Sequence, residues 1–313
     1  MKKTLVALAV SSVATSSVTA FAAEDTSNLE TYGNIQMVYA DSDSNGSELS
    51  DNGSTFGLQG STAINQDITG FFKYELEADA DEQSSDVSLG LDQAYVGLQG
   101  HFGKVQLGSF DSIYNNAIQD GLDQFEYVAV SGNALTSQGD TIAYFSPSMN
   151  GFEVQVSAQV KGSNDTTDTT TTPATQDAEN GTAATLVVKY SVDALTLAAG
   201  YDDRQTTLNN VEPTYGLSAA YQVTPALSVN AKVEDTKDEA TRYGVGTRYA
   251  YGLGDVYATY QVVSPDQNNA DDYDNYGVGA TYDLASNMYV YAEFGQTGAS
   301  EDSVTAAGAT YLF

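Results

Sequence analysis

The chain alternates, residue by residue, over almost its whole length. In Phe152–Val160 one face reads Phe152, Val154, Val156, Ala158, Val160 and the other Glu153, Gln155, Ser157, Gln159. Leu227–Glu234 repeats the pattern, with Leu227, Val229, Ala231, Val233 against Ser228, Asn230, Lys232, Glu234. In Thr241–Tyr251, Arg242 and Arg248 share a face with Gly244, Gly246 and Ala250, while Tyr243, Val245, Thr247, Tyr249 and Tyr251 take the other. A period of two places successive side chains on opposite faces of an extended strand and excludes amphipathic helix. None of these apolar faces carries a charge.

Alternation alone does not say which face is wet, since a soluble sandwich alternates too. The connections decide. Sixteen strands are predicted: 29–40, 54–64, 68–79, 91–100, 104–110, 139–147, 151–161, 182–192, 195–203, 213–223, 227–236, 241–251, 255–263, 273–283, 287–297 and 303–313. Every second connection is tiny, as in His101-Phe-Gly103, Asp193-Ala194 and Thr224-Pro-Ala226, and those between are mostly longer and more acidic, up to 111–138 and 162–181. Short turns at one end and long loops at the other mark a transmembrane antiparallel β-barrel, and an even strand count brings both termini to the short-turn, periplasmic side. The 22 Tyr and 11 Phe, with no Trp, supply its interfacial girdles. No apolar run beyond the N-terminus approaches the ~20 residues of a membrane-spanning helix.

The N-terminus fits that destination. Met1-Lys-Lys leads into apolar Leu5–Val10 and a small-residue stretch ending Ala20-Phe21-Ala22. This is the pattern of a secretory signal over 1–22, leaving 23–313 as the barrel domain, exported by the general secretory route. The signal takes two of the 11 basic residues, Lys2 and Lys3, and none of the 42 acidic ones, so the mature charge is −33. Such a charge excludes nucleic acid as a partner. Cysteine is absent, which excludes disulfides and thiolate chemistry.

Catalysis finds little support. The one histidine, His101, sits in a two-to-three-residue turn, so no Ser–His pair is indicated. Asp41-Ser-Asp-Ser-Asn-Gly46 opens like a Ca²⁺-binding loop but has Asn52 where the closing Glu belongs, and it reads as a solvated turn. The acidic stretches 41–53 and 264–274 read as loops. No metal and no cofactor is indicated. The segment 111–138 mixes Asp111, Asp120, Asp123 and Glu126 with Ile113, Tyr114, Ile118, Leu122, Phe125 and Tyr127. Apolar content of that order favours a loop folded into the lumen, its apolar side on the wall and its carboxylates lining a narrowed channel.

Several segments carry a family resemblance: Leu29-Glu-Thr-Tyr-Gly33, Ser54–Gly60, Asp92-Gln-Ala-Tyr-Val-Gly-Leu98, Phe102–Gly108, Leu107-Gly-Ser-Phe-Asp111, Ile142–Pro147 and the terminal Tyr311-Leu-Phe313. In their order and spacing the chain resembles the general diffusion porins of Gram-negative bacteria. The resemblance implies a homotrimer of 16-stranded barrels in outer-membrane lipid and lipopolysaccharide, assembled by machinery that reads the terminal aromatic, here Phe313. It implies a pore for small hydrophilic solutes, narrowed by the third outer loop against a basic wall. This chain departs from that wall: Asn34, Thr55 and Asp92 stand where Lys or Arg is usual, as do Ser137 or Gln138. Lys73, alternating with Glu75 and Glu77, and Arg242 with Arg248 are the remaining lumenal bases expected. The expectation is therefore a cation-preferring pore. A substrate-specific channel, or an adhesin or receptor barrel working through its acidic outer loops, is the rival.

Overall fold

The computed structural model describes residues 28–81, 89–130, 137–160, 182–203, 212–267 and 270–313. The expected signal over 1–22, the low-complexity segment 162–181 and residues 131–136 of the third loop lie outside them. Strand segments pair antiparallel with their sequence neighbours into one sheet, and the last pairs with the first, Asn34 opposite Leu312 through Ser42 opposite Val304, so the sheet closes on itself. Closure leaves no free edge.

Strands run β1 (Asn28–Ser42), β2, β3 (Ile68–Ala78), β4 (Leu89–Gly100), β5 (Gly103–Asp111), β6 (Ser137–Phe145), β7 (Phe152–Val160) and β8 (Thr182–Val192). They continue with β9 (Leu195–Asp202), β10 (Thr214–Thr224), β11 (Leu227–Thr236), β12 (Ala240–Ala250), β13 (Asp255–Pro265), β14 (Tyr273–Ala285), β15 (Met288–Thr297) and β16 (Asp302–Leu312). Strand β2 comes in two pieces, Gly46–Asp51 and Thr55–Ala63, both paired to β1. Sixteen antiparallel staves result, as predicted.

The acidic stretch 41–53 corrects the sequence reading, for it is mostly strand. Asp41 lies within β1, the turn is only 43–45, and Glu48 and Asp51 lie in the first piece of β2. Polar residues can extend a ladder beyond the bilayer, where both faces meet water and no apolar face is needed. The gap in β2 has a local cause: Asp51 accepts from the amides of Gly53 and Ser54 at 2.7 and 2.9 Å, and Gly53 takes φ 75°. That turn interrupts the ladder at Gly53, while Asn52 still donates to the Gln36 carbonyl at 2.8 Å and Ser54 still accepts from the Ala78 amide at 2.9 Å. The oxygens of the Ca²⁺-loop-like segment are engaged by protein: Asp41 accepts from Ser47, and Ser44 donates to Asp302.

The alternation assigns the two faces. Ile35, Tyr39, Val96, Val156, Leu217, Val245 and Phe294 point outward and are exposed, whereas Gln36, Gln93, Ser157, Gln261 and Glu293 point inward and are buried. The outward wall meets lipid, where an apolar side chain is at no disadvantage and a charge costs roughly 2–4 kcal/mol at the midplane. Exposed Tyr221, Tyr249, Tyr251, Tyr282, Tyr311 and Phe313 collect near the short turns. Tyr39, Tyr215, Tyr243 and Tyr260 form the other belt.

Candidate functional site

The third outer loop, between β5 and β6, lies inside the barrel, and a track of glycines on the inward face receives it. Side chains Tyr114 and Ile118 occupy the space a Cβ would need at Gly200 in β9 and Gly216 in β10. Leu122 does the same at Gly244 and Gly246 in β12, Phe125 at Gly277 in β14 and Val128 at Gly295 in β15. The loop therefore runs around the wall from β9 to β15 in strand order, one apolar side chain after another. Tyr114, Ile118, Leu122 and Val128 are each at most 4% exposed. Burying an aliphatic or aromatic side chain of this size contributes about 1.5–3 kcal/mol. The loop opens with a single wide, π-helical turn, Asn115–Gln119, closed by the Asp120 amide on the Asn115 carbonyl five residues back at 3.0 Å.

Two buried carboxylates fasten the backbone. Glu293 accepts the successive amides of Glu126, Tyr127 and Val128 at 2.7, 2.9 and 3.0 Å, and the Tyr257 hydroxyl at 2.7 Å. Glu234, fully buried, accepts from Gln119 Nε2 and the Tyr114 hydroxyl, with Lys232 at 3.9 Å and Arg242 at 3.8 Å. Burial, with Glu234 beside it, pushes the Tyr114 phenol above its usual range, so it stays a proton donor. Neutral contacts complete the seam: Ser218 donates to the Ala117 carbonyl at 2.7 Å, Thr259 to that of Leu122 at 2.9 Å, and Asn52 to that of Glu126 at 2.8 Å. Sequence reasoning missed Glu234, Glu293 and Asn52. Lumen-face glycines in strands otherwise rich in large residues were the available signal.

The predicted acidic set divides. Glu126 turns to the wall, accepting from Gln36 Nε2 at 3.2 Å and the Tyr289 hydroxyl at 3.0 Å. Asp120 accepts from Asn115 at 2.6 Å. Asp123 lies within electrostatic reach of Lys232. All three remain partly exposed, and Asp111 closes β5.

Across the lumen, β1 to β5 carry a second cluster. Lys73 Nζ lies 3.1 Å from Glu75 and 3.3 Å from Gln93 Oε1. Tyr32 donates its hydroxyl to Glu75. Asp92 is the extra residue of a bulge, standing between Gln93, which pairs Glu75, and Leu91, which pairs Leu76. The bulge brings the Asp92 carboxyl within hydrogen-bonding reach of Glu75 and into the field of Asp111 and Lys73. The Asn34 side chain holds Thr55, its Oδ1 accepting the Thr55 amide at 2.7 Å and the Thr55 hydroxyl at 3.1 Å. Glu77 stands opposite Thr55 at the outer end and is exposed. The predicted bases Arg242 and Arg248 are inward-facing but lie on the loop's own arc. Arg248 binds Asp255 at 2.8 Å and donates to the Gln124 carbonyl at 3.3 Å, another tie on the loop. Phe313 exchanges both backbone hydrogen bonds with Gly33 at 3.0 Å, and its ring covers that glycine on the outer face.

Comparison with known proteins agrees with this geometry. The chain is 32% identical to the "Monosaccharide porin" of a Halomonas species, over the full length of both chains. It is equally similar, again over the full length of both, to the "Major outer membrane protein" of Halomonas elongata. Among solved structures, the anion-selective porin from Comamonas acidovorans superposes with a TM-score of 0.71 at 16% identity, covering 92% of this chain and all of that one. The family model for Gram-negative porins matches residues 4–302. A closed 16-stranded barrel with its third loop laid along the lumen, together with that match, makes this chain a member of the Gram-negative porin family, a pore-forming protein of the outer membrane.

Proposed function

We propose that the protein is a trimeric, cation-preferring diffusion pore for small hydrophilic solutes, monosaccharides among them. The sign of selectivity does not come from the fold, since an anion-selective porin shares it. It comes from the side chains. One observation carries the reading: each described base on the lumen wall stands against a carboxylate. Lys73 has Glu75, Lys232 and Arg242 have Glu234, and Arg248 has Asp255. Lys104 feels Glu153, and Lys189 lies opposite Glu153 in register. Asp92, Asp111, Asp120, Asp123 and Glu126 come in addition, so the acid exceeds the base on both sides of the lumen.

A permeating ion ~4 Å from one carboxylate feels about 1 kcal/mol in bulk-like water and more in a narrow, low-dielectric passage. That exceeds RT, so one such charge enriches cations several-fold and depletes anions. Monosaccharide passage rests on the full-length similarity to the Halomonas porin. Phe313 is the residue we assign to recognition by the assembly machinery. Liposomes containing the purified protein should swell in glucose and in arabinose, and an absence of swelling would refute the pore.

A further inference from the structure

Four aromatic side chains lie over glycines of the inward wall. A Cβ at Gly57 would run into Tyr32, at Gly97 into Phe71, at Gly279 into Tyr257 and at Gly308 into Tyr291. Each ring thus covers a glycine, and the four differ in what else they meet. Tyr257 and Tyr291 are 2% and 3% exposed, because the loop covers that arc. Phe125 packs on Tyr257 with centroids 5.3 Å apart, and Asn52 donates to the Tyr291 hydroxyl at 3.1 Å. Tyr32 in β1 and Phe71 in β3 lie on the arc across from the loop's glycine track, and both remain partly exposed.

Polar groups surround these two rings. Gln59 is bonded to Glu30 at 3.1 Å and stands opposite Lys73 in register. The Lys73 ammonium lies 5.6 Å from the Tyr32 ring centre, and Glu75 holds the Tyr32 hydroxyl. Tyr95 stands edgewise to Phe71, centroids 6.2 Å apart at 74°, making a corner beside it. The result is a stretch of wall with two apolar rings, Phe71 lying four residues along β3 from the Glu75 position that faces Gly57 and Tyr32, and amide, ammonium and carboxylate groups between them. Its chemistry matches a pyranose, which has a face of C–H bonds, positive toward a negative ring face, and hydroxyls radiating in its plane.

We propose that Tyr32 and Phe71 form a stacking platform for neutral pyranoses in transit, with Glu30, Gln59 and Lys73 as hydroxyl partners. This rests on the pore reading and narrows its solute class. Binding must be weak, since a channel site has to release what it takes up.

The test is ion current through the full-length protein in planar bilayers, titrated with D-glucose or with D-mannitol, which carries the hydroxyls but no ring face. Wild type should show a saturable reduction of current with glucose, and with mannitol only the fall that follows bulk conductivity. Phe71→Leu and Tyr32→Leu keep apolar volume without a flat face. Either should raise the half-saturating glucose concentration by about tenfold, the scale of one lost ring contact. Both should retain heat-modifiable migration, and Tyr32→Phe should keep the glucose response. Identical glucose and mannitol curves in wild type, or unchanged glucose saturation in both leucine variants, would overturn the platform while leaving an open pore. Absence of any conductance would overturn the pore itself.

Discussion

Glu293 shows how much one residue can hold in this structure. Its carboxylate takes three consecutive loop amides and a tyrosine hydroxyl, all within 3.0 Å. Hydrogen bonds to a charged acceptor contribute roughly 1.5–3 kcal/mol each, and a donor left unmet in a buried site costs about 1–3 kcal/mol. Glu293→Gln keeps the volume but turns one oxygen into a donor that faces donors. It should loosen the loop without unfolding the barrel, seen as current flicker and added subconductance levels in single-channel records. A current as quiet as wild type would remove Glu293 from its anchoring role. In the sequence, Glu293 is only one polar position in an alternating strand, indistinguishable from a solvated one, because the loop amides it holds lie 165 to 167 residues away. Asp92 was legible as a departure from the resemblance, but its bulge was not, since a bulge depends on the register of two strands together.

At the scale of elements, the strands were the easiest feature to read. One face of each meets lipid and the other water, so the period of two stands out even in short windows. Where that constraint ends, the reading failed: beyond the bilayer both faces are wet, and 46–51 pairs as strand with no alternation to announce it. Val156 and Ser157 test the wall directly. Val156 is 39% exposed on the outer face and Ser157 buried on the inner one. Val156→Arg should destabilise the folded barrel by about 2–4 kcal/mol if it lies near mid-membrane, measured by urea titration in lipid vesicles. Ser157→Arg should change folding little, and equal losses would show the faces are reversed. The loop was legible from its apolar content, yet its path was not, because the glycines that receive it become a track only when seven strands are side by side. Gly216→Val, placed under Tyr114 and Ile118, should lift the start of the loop. Overpacking of this kind costs about 1–3 kcal/mol, and a raised, noisier conductance is the expected readout.

For the whole molecule, closure and charge act together. Closure is sealed by β1 with β16, and Phe313 completes the seam through its two backbone bonds to Gly33. Deleting Phe313 removes both bonds and the ring over Gly33, so heat-modifiable trimer should form more slowly in cells. Undiminished trimer would argue against its assembly role. The closed wall then carries an excess of carboxylates into a lumen already narrowed by the loop. The most direct test of that central claim is the zero-current potential across a planar bilayer with a KCl gradient, dilute side near 0.1 M, where the Debye length is ~10 Å. Wild type should make the dilute side positive, as potassium leads chloride, and Asp92→Arg should shift the potential strongly toward chloride. At ~1 M salt, with screening over ~3 Å, the difference should shrink. A dilute side that is negative in wild type, or an Asp92→Arg channel with unchanged low-salt potential, would contradict the account.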